Sequence, residues 1–210
     1  MSPSDDLAVP PSPRPAGSSQ RQHILATALT LMATQGVDGT SMRNLAAATG
    51  LNVASLYHYF PSKRDLLVAV LQDRGFVDDM AAASQTAVSQ EPASNVAELL
   101  NDMLQSMLEV EDFVRLMIAE AMRGDDTAYA VGNELFSATQ ATLEQSLADC
   151  KPPPCRPGEE AALARMLRSL LIGLFIEHVS GVLSDSEDPV EEFHRRVGEI
   201  VMLLGQRAPD

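Results

Sequence analysis

Apolar side chains are sparse in residues 1–19 and recur at spacings of three and four residues through most of the chain that follows. Residues 1–19 are rich in Pro and Ser, so they cannot bury enough apolar surface to offset the entropy of ordering, and we predict a disordered tail. From Gln20 the pattern predicts an amphipathic helix that ends at Gly36. Because no convincing strand pattern follows, the predicted fold class is all-α.

The segment after Gly36 carries strong signals for helix boundaries. Ser41 is a good N-cap for a short helix that ends at Gly50, and Asn52 can cap the next one. Ser62, just after a proline, opens a fourth helix, which the apolar pattern extends as one long helix from about residue 62 to 90. Short helices in such close succession are typical of a helix-turn-helix.

The rest of the pattern predicts only helices, separated by proline and glycine turn signals, over residues 93–109, 111–123, 126–149, 159–184 and 189–206. About nine helices are expected in total. The predicted organisation is a tail over residues 1–19, a helix-turn-helix domain over 20–64 and a larger helical domain over 65–210.

The charge of the chain is distributed unevenly, with a formal net charge of −14. Residues 1–64 carry five basic side chains and three acids, a net +2, which leaves −16 for residues 65–210. Only the N-terminal end therefore offers a face to a polyanion. No membrane span and no secretory signal is evident, so we expect a cytoplasmic protein.

The residues that could carry catalysis or bind metal form no convincing constellation. Cys150 and Cys155 are too few for a disulfide framework, and they are either inert loop thiols or a redox pair. Glu177-His178 with His194 comes nearest to a metal site, but adjacent residues on a helix point in different directions and no third ligand has a matching spacing. We therefore expect no enzymatic activity, no cofactor and no metal.

Residues 41–60 read S-M-R-N-L-A-A-A-T-G-L-N-V-A-S-L-Y-H-Y-F. This segment resembles the DNA-binding signature of the TetR family of repressors, in which a Leu-Tyr-aromatic-aromatic-Phe run precedes Ser-Lys. Here the run is Leu56–Phe60, followed by Ser62-Lys63. The resemblance covers residues 22–68, whereas the C-terminal two thirds is similar only in helix count and length.

The resemblance implies a homodimer that binds a palindromic operator in double-stranded DNA. Arg43 would read a guanine, and Val53 and Ala54, at the start of the helix capped by Asn52, would contact thymine methyl groups. Lys63 and the hydroxyls of Ser41, Tyr57 and Tyr59 would contact phosphates. For His58, a DNA contact and a purely structural role are both open. Because Val53 stands where a polar residue is frequent, we expect DNA shape to contribute to specificity. The predicted DNA-binding residues are Ser41, Arg43, Val53, Ala54, Ser55, Tyr57, His58, Tyr59 and Lys63.

The larger domain is expected to serve dimerisation and ligand sensing, as the resemblance implies. Apolar residues recur at helical spacing in its last two predicted helices, a pattern that fits either an intramolecular core or a four-helix bundle between two protomers. We predict the bundle. Its interface residues are Leu167, Leu170, Gly173, Leu174, Gly181, Phe193, Val197, Ile200 and Leu204.

The middle helices are rich in methionine, which adapts to differently shaped apolar guests. We predict an effector pocket for a small, largely apolar molecule, with plain core packing as the alternative for each residue. Glu120, Arg115 or Arg123 could anchor a polar end. The predicted ligand-binding residues are Met103, Met107, Phe113, Met117, Glu120, Met122, Tyr129 and Phe136.

The function that these expectations imply is a transcriptional repressor released from its operator by the effector. The alternative is a helical interaction protein that keeps the fold without binding DNA, which the acidic total and the apolar Val53-Ala54 pair favour.

Overall fold

A computed structural model describes residues 16–73, 96–149 and 155–181, together with residues 195, 196 and 199. These residues contain eight helices and no strand, which confirms the all-α class. None of the helices described is long and apolar enough to cross a membrane. In chain order they are α1 (Ala16–Gly39), α2 (Met42–Thr49), α3 (Val53–Tyr59), α4 (Lys63–Leu71), α5 (Val96–Glu109), α6 (Glu111–Met122), α7 (Asp126–Asp149) and α8 (Glu160–Val179).

Helix α1 begins at Ala16, four residues before the predicted start. Its regular path breaks at the predicted stop, Gly36, where φ is 74° and ψ is 160°, and a further turn then runs to Gly39. The Gly36 carbonyl accepts hydrogen bonds from the Thr40 amide at 3.2 Å and the Thr40 hydroxyl at 2.9 Å. The predicted end of the helix is therefore a kink that redirects the chain toward α2.

The caps of α2 and α3 form as predicted. The Ser41 Oγ accepts from the Asn44 amide at 3.1 Å, and the Asn52 Oδ1 accepts from the Ser55 amide at 2.7 Å. Gly50 ends α2 in the left-handed conformation, with φ at 68°. The Leu51 amide then donates to the Ala46 carbonyl at 2.9 Å, which is the hydrogen bond of a Schellman motif at the end of a helix.

Helix α4 is shorter than the sequence pattern indicates. It was expected to run from about residue 62 to 90, but it ends at Leu71 and Gln72 caps it with φ at −94° and ψ at 4°. Ser62 caps its start by accepting from the Asp65 amide at 3.1 Å. The apolar spacing continues past Leu71, so periodicity alone did not mark the end. Residues 74–95 lie outside the described ranges, as do residues 1–15 of the predicted tail and nearly all of the predicted helix over 189–206.

Helix α1 is the element that joins the N-terminal helices to the larger body. It packs against α2 and α4 and also against α6. The body continues through α6 against α7, α7 against α8, and α5 against α8. The apolar face of α1 belongs to one hydrophobic core that extends through both parts, and its fully or nearly fully buried members are Ile24, Leu25, Ala28, Leu29 and Met32.

Gly36 provides a test of the kink. We expect Gly36→Ala to lower the free energy of unfolding by about 1–3 kcal/mol, because a Cβ is strained at this φ and ψ although no atom lies within 4 Å of it. Gly39→Ala in the same helix is the matched control and should be neutral or stabilising, since its Cβ would make only an ordinary 3.5 Å contact with Gln35. Urea unfolding measures both, and equal effects would contradict the strained kink.

Candidate nucleic-acid interface and body cavity

Helix α3 presents one face to solvent and holds the other in the core. Leu56 is fully buried and Phe60, just after the helix, is 3% exposed. The opposite face carries exposed Val53, Ala54, Tyr57 and His58, as predicted, with Tyr57 47% exposed. Ser55 and Tyr59 are half-buried. The fixed inner face gives the exposed side chains a defined direction, which is what a helix needs to enter a DNA groove.

The remaining predicted DNA contacts lie around this helix. Arg43 is exposed on α2, next to the cap residue Ser41, which is also exposed. Lys63, at the start of α4, is half-buried, and its Nζ donates to the Val37 carbonyl at 2.8 Å. An ammonium group has three donors, so this bond leaves capacity for a phosphate.

Arg21 adds a basic group beside the recognition helix. Its guanidinium carbon lies 5.4 Å from the centroid of the Phe60 ring, which is within reach of a cation–π interaction. Arg14, the other arginine near the start of α1, is outside the described residues. The structure thus holds Arg21 on α1 against the C-terminal end of α3.

A set of ion pairs, which we call the polar joint, connects the N-terminal unit (α2 to α4) to the body (α5 to α8) at the corner between α6 and α7. Arg64 of α4 forms a salt bridge with Asp125, whose side chain is 7% exposed. The other carboxylate oxygen of Asp125 accepts from the Ala128 amide at 2.9 Å and so caps α7. Arg123 lies 3.4 Å from both Asp38, at the end of α1, and the nearly buried Glu120. The corner therefore contacts both ends of the segment that contains α2 and α3.

Four helices of the body enclose an apolar cavity of about 40 Å³. Each helix contributes residues three or four positions apart, which places them on one face of that helix. The Cβ of an alanine at position 132 would lie 3.6 Å from the Met117 Sδ, an ordinary van der Waals contact, so the α7 backbone at Gly132 packs closely against this side chain. The lining consists of Met103, Met107, Val114, Met117, Leu135, Phe136, Thr139, Arg168, Leu171 and Ile172.

Half of the predicted ligand-binding residues line this cavity, namely Met103, Met107, Met117 and Phe136. The others do not. Phe113 is fully buried elsewhere in the core, and Glu120 pairs with Arg123. Met122 is 84% exposed and Tyr129 is 67% exposed, because both lie near the solvent-facing corner between α6 and α7.

The sequence reasoning missed Arg168 and Thr139, the polar members of the lining. The suggested polar anchors lie elsewhere, since Arg115 pairs with Glu111 at 3.1 Å and Arg123 lies at the corner. A signal for Arg168 was present in the pattern, because it interrupts the apolar face of α8 three and four residues before Leu171 and Ile172.

Helix α8 carries two apolar faces, and the structure divides the predicted dimer residues between them. Leu167 and Leu174 are buried inside the protomer, at 2% and 3% exposure, rather than presented to a partner. A leucine seam has the same spacing in either role, so the pattern could not distinguish them. Leu170 and Gly173 are half-buried, Gly181 is exposed, and Phe193, Val197, Ile200 and Leu204 lie outside the description.

The opposite side of α8 is the face that the protomer leaves uncovered. We call it the outer face; Met166 is 65% exposed and Ile176 42% exposed on it. A Cβ at Gly173 would have no atom within 4 Å, so the helix backbone is open to close approach there. The face carries two large apolar residues among four small ones, at alternating spacings of four and three: Ala162, Met166, Ser169, Gly173, Ile176 and Ser180.

Glu177 and His178, two of the possible metal ligands named from the sequence, each lie next to another ionisable side chain. Glu177 pairs with Arg196, and the His178 Nε2 lies 3.8 Å from a Glu111 carboxylate oxygen. No group of three potential metal ligands occurs within the part of the chain that the structure describes. His194 and Cys150 lie outside it, and Cys155 is half-buried against the core.

Comparison with known proteins connects this geometry to a family. The profile of "Bacterial regulatory proteins, tetR family" matches residues 24–70. The HTH-type transcriptional repressor KstR2 of Rhodococcus jostii (strain RHA1) is 31% identical over 132 residues, which cover 62% of each protein. The HTH-type transcriptional regulator AcrR of Shigella flexneri is 32% identical over 92 residues, 43% of each. Over residues 24–70 the chain is therefore similar to regulators of the TetR family.

The matched part of the chain spans 62% and 43% of the length of these two relatives. The profile match over 24–70 confirms the resemblance seen in residues 22–68. It covers α2, α3 and nearly all of α4, together with most of α1. The similarity to the family therefore lies in the N-terminal helices α1 to α4.

Solved structures extend the likeness of the fold to nearly the whole chain. Reduced NemR of E. coli has a TM-score of 0.64 at 24% identity, covering 86% of this chain and 97% of that one. KstR2 of Mycobacterium tuberculosis has a TM-score of 0.64 at 20% identity, covering 89% and 94%. A protein from Saccharomonospora viridis in complex with choline has a TM-score of 0.68 at 20% identity, covering 88% and 96%. At these identities the likeness shows the fold alone.

The salt bridge at the corner generates a stability prediction. Arg64→Met should lower the free energy of unfolding by about 1–3 kcal/mol, because the Asp125 carboxylate, 7% exposed, would lose its charged partner. Arg115→Met is the control, since its bond to Glu111 joins half-exposed residues one turn apart and should contribute about 0.5 kcal/mol or less. Urea unfolding followed by circular dichroism compares them, and equal losses would argue against a joint that depends on Arg64.

Proposed function

We propose that the chain is a transcriptional repressor that binds a palindromic DNA operator as a homodimer and is released by a small, largely apolar effector. The observation that supports DNA binding is the recognition helix α3, whose buried Leu56 leaves Tyr57 and His58 exposed beside Arg43 and Lys63. The naming of the matched relatives as transcriptional repressors or regulators supports the same role. Residues 20–64 would form the DNA-binding domain and 65–210 the sensing and dimerisation domain.

The proposed contacts divide into positioning and reading. Phosphates would accept hydrogen bonds from Ser41, Tyr57, Tyr59 and Lys63. Lys63 and Ser41 lie at helix starts, where the helix dipole also attracts an anion. Base edges would be read by Arg43, Ser55 and the apolar pair Val53-Ala54, with His58 exposed beside them.

The effector would act through the corner between α6 and α7. Both helices line the cavity, with Val114 and Met117 on α6 and Phe136 on α7, and their joint holds Arg64 of α4 through Asp125. A guest that separates the two helices would therefore displace the joint and with it the N-terminal unit. Such a guest shifts the equilibrium away from the DNA-binding spacing only by its preference for the displaced state.

Dimerisation would use the outer face of α8. Its exposed methionine and isoleucine supply apolar area, and Gly173 allows two helices to approach closely. In a two-fold dimer the same face meets its own copy, so each contact occurs twice. The two-fold arrangement also sets two recognition helices at the spacing of successive major grooves.

DNA binding is tested on duplexes selected from a random-sequence library by the purified full chain. We expect Arg43→Gln to weaken binding by about 5- to 100-fold and to relax preference at one base pair of each half-site, because it removes a bidentate base contact. Tyr57→Phe should weaken binding several-fold on all sequences, as loss of a phosphate contact does. Fluorescence anisotropy at two salt concentrations measures the affinities.

Matched controls for these variants lie on the body. Arg156→Gln and Tyr129→Phe change exposed residues of the body, before α8 and on α7, and should leave DNA binding unchanged. If the library yields no retained duplex, the alternative of a helical interaction protein without DNA binding is favoured. If the control variants weaken binding as much as Arg43→Gln and Tyr57→Phe, the assigned interface is wrong.

The dimer is tested with two exposed methionines. Met166→Glu on the outer face should raise the dimer dissociation constant about tenfold or more, because symmetry places two like charges in one interface. Met122→Glu, at a position 84% exposed away from that face, should leave the dimer intact. Sedimentation equilibrium measures both. A wild-type monomer, or a Met166→Glu dimer of unchanged affinity, would exclude the outer face as the interface.

A further inference from the structure

Arg168 is a cation at the edge of an otherwise largely apolar cavity. The other members of the described lining are eight apolar side chains and Thr139. The guanidinium donates through Nη1 to the Phe136 carbonyl at 3.3 Å, which holds it across the gap between α8 and α7. A guanidinium has five N–H donors, so this bond leaves most of its donors for another acceptor.

The charge of Arg168 is not balanced by an acid within the described residues, where no salt bridge involves it. The whole chain has 29 acidic and 15 basic residues, so acidic partners are plentiful. Arg64, Arg115 and Arg123 are each paired with at least one carboxylate. A half-buried guanidinium that has no carboxylate partner among the described residues can still pair with an anion that enters the cavity.

We infer that this cavity binds an apolar carboxylic acid, with its carboxylate on Arg168 and its apolar part among the methionines. The inference rests on the proposed function for the premise that the body binds a small effector. Arginine suits this role because its planar donors match the two oxygens of a carboxylate. The acidic body would repel an anion elsewhere, so the single cation of the described lining determines where and how the acid binds.

The apolar part of the acid requires the cavity to enlarge. Its present volume of about 40 Å³ holds little more than a water molecule. Sites for drug-sized ligands occupy about 300–1,000 Å³. Met103, Met107 and Met117 line it on two helices, and methionine side chains can re-pack at low cost. Acids with short or medium apolar tails are therefore the class that fits.

The test is a calorimetric titration of the purified full chain, without DNA, with two matched sets of probes. The first set is octanoate, octan-1-ol and octylamine, and the second is 4-phenylbutyrate with its alcohol and amine counterparts. We expect each carboxylate to bind about tenfold or more tightly than its alcohol and amine, as a charge-assisted pair implies. Arg168→Gln should abolish this preference, and Arg165→Gln, one turn earlier and exposed, should preserve it.

Arg168→Lys keeps the charge without the planar fork and should retain part of the preference, which gives a second readout if Arg168→Gln fails to fold. The inference is overturned if neither carboxylate binds, if an alcohol or amine binds as tightly, or if the preference survives Arg168→Gln. Because these titrations contain no DNA, a chain that binds the acids but no duplex would refute the repressor and leave the carboxylate site standing. If only neutral or cationic compounds release the operator, the repressor stands and the carboxylate site is refuted.

Discussion

The apolar face of α1 is buried against two parts of the molecule at once, the helices α2 and α4 on one side and α6 on the other. Burying a side chain such as Ile24, Leu25 or Met32 contributes about 1.5–3 kcal/mol. An exposed ion pair such as Arg123 with Asp38 contributes about 0–1 kcal/mol. The apolar face therefore holds the two parts together, and the polar joint selects their orientation.

The local distribution of charge explains how a strongly acidic chain could still bind DNA. The basic side chains near α3 cannot outweigh a net charge of −14 at long range. Salt screens charges more than about 8 Å apart at physiological ionic strength, so the local surface counts for more than the sum. Arg64 is already paired with Asp125, which leaves Arg21, Arg43 and Lys63 as the described basic residues nearest the recognition helix.

The sequence predicted local structure where a boundary depends on a few neighbouring residues. The caps Ser41 and Asn52 and the left-handed Gly50 appear where they were expected, because each acts through hydrogen bonds within its own turn. The end of α4 at Leu71 was missed, since apolar periodicity continues beyond it. The spacing of apolar residues shows that a helix has an apolar face, but it does not show which part of the molecule packs against that face.

That ambiguity also explains the errors in the body. Leu167 and Leu174 face the protomer core although their spacing equally suits a dimer seam. Met122 and Tyr129 satisfy the composition of a pocket, yet they are exposed near the corner where α6 meets α7. Arg168 was overlooked because its place in the cavity lining depends on α7 packing against α8, a contact between residues that are distant in the sequence. Residue type can suggest a pocket, but its polar end is defined only by the packing of the helices.

The small volume of the cavity has a consequence for how the two ends of the molecule could communicate. A preformed, roomy pocket could fill without moving its walls, and a ligand that binds two states equally shifts neither. A cavity of about 40 Å³ can admit a larger guest only if the side chains of α5 to α8 rearrange. Close-packed interiors transmit such displacements instead of absorbing them. Since α6 and α7 meet at the salt bridge with Arg64, the proposed expansion between them would act on the start of α4 through one connected set of contacts.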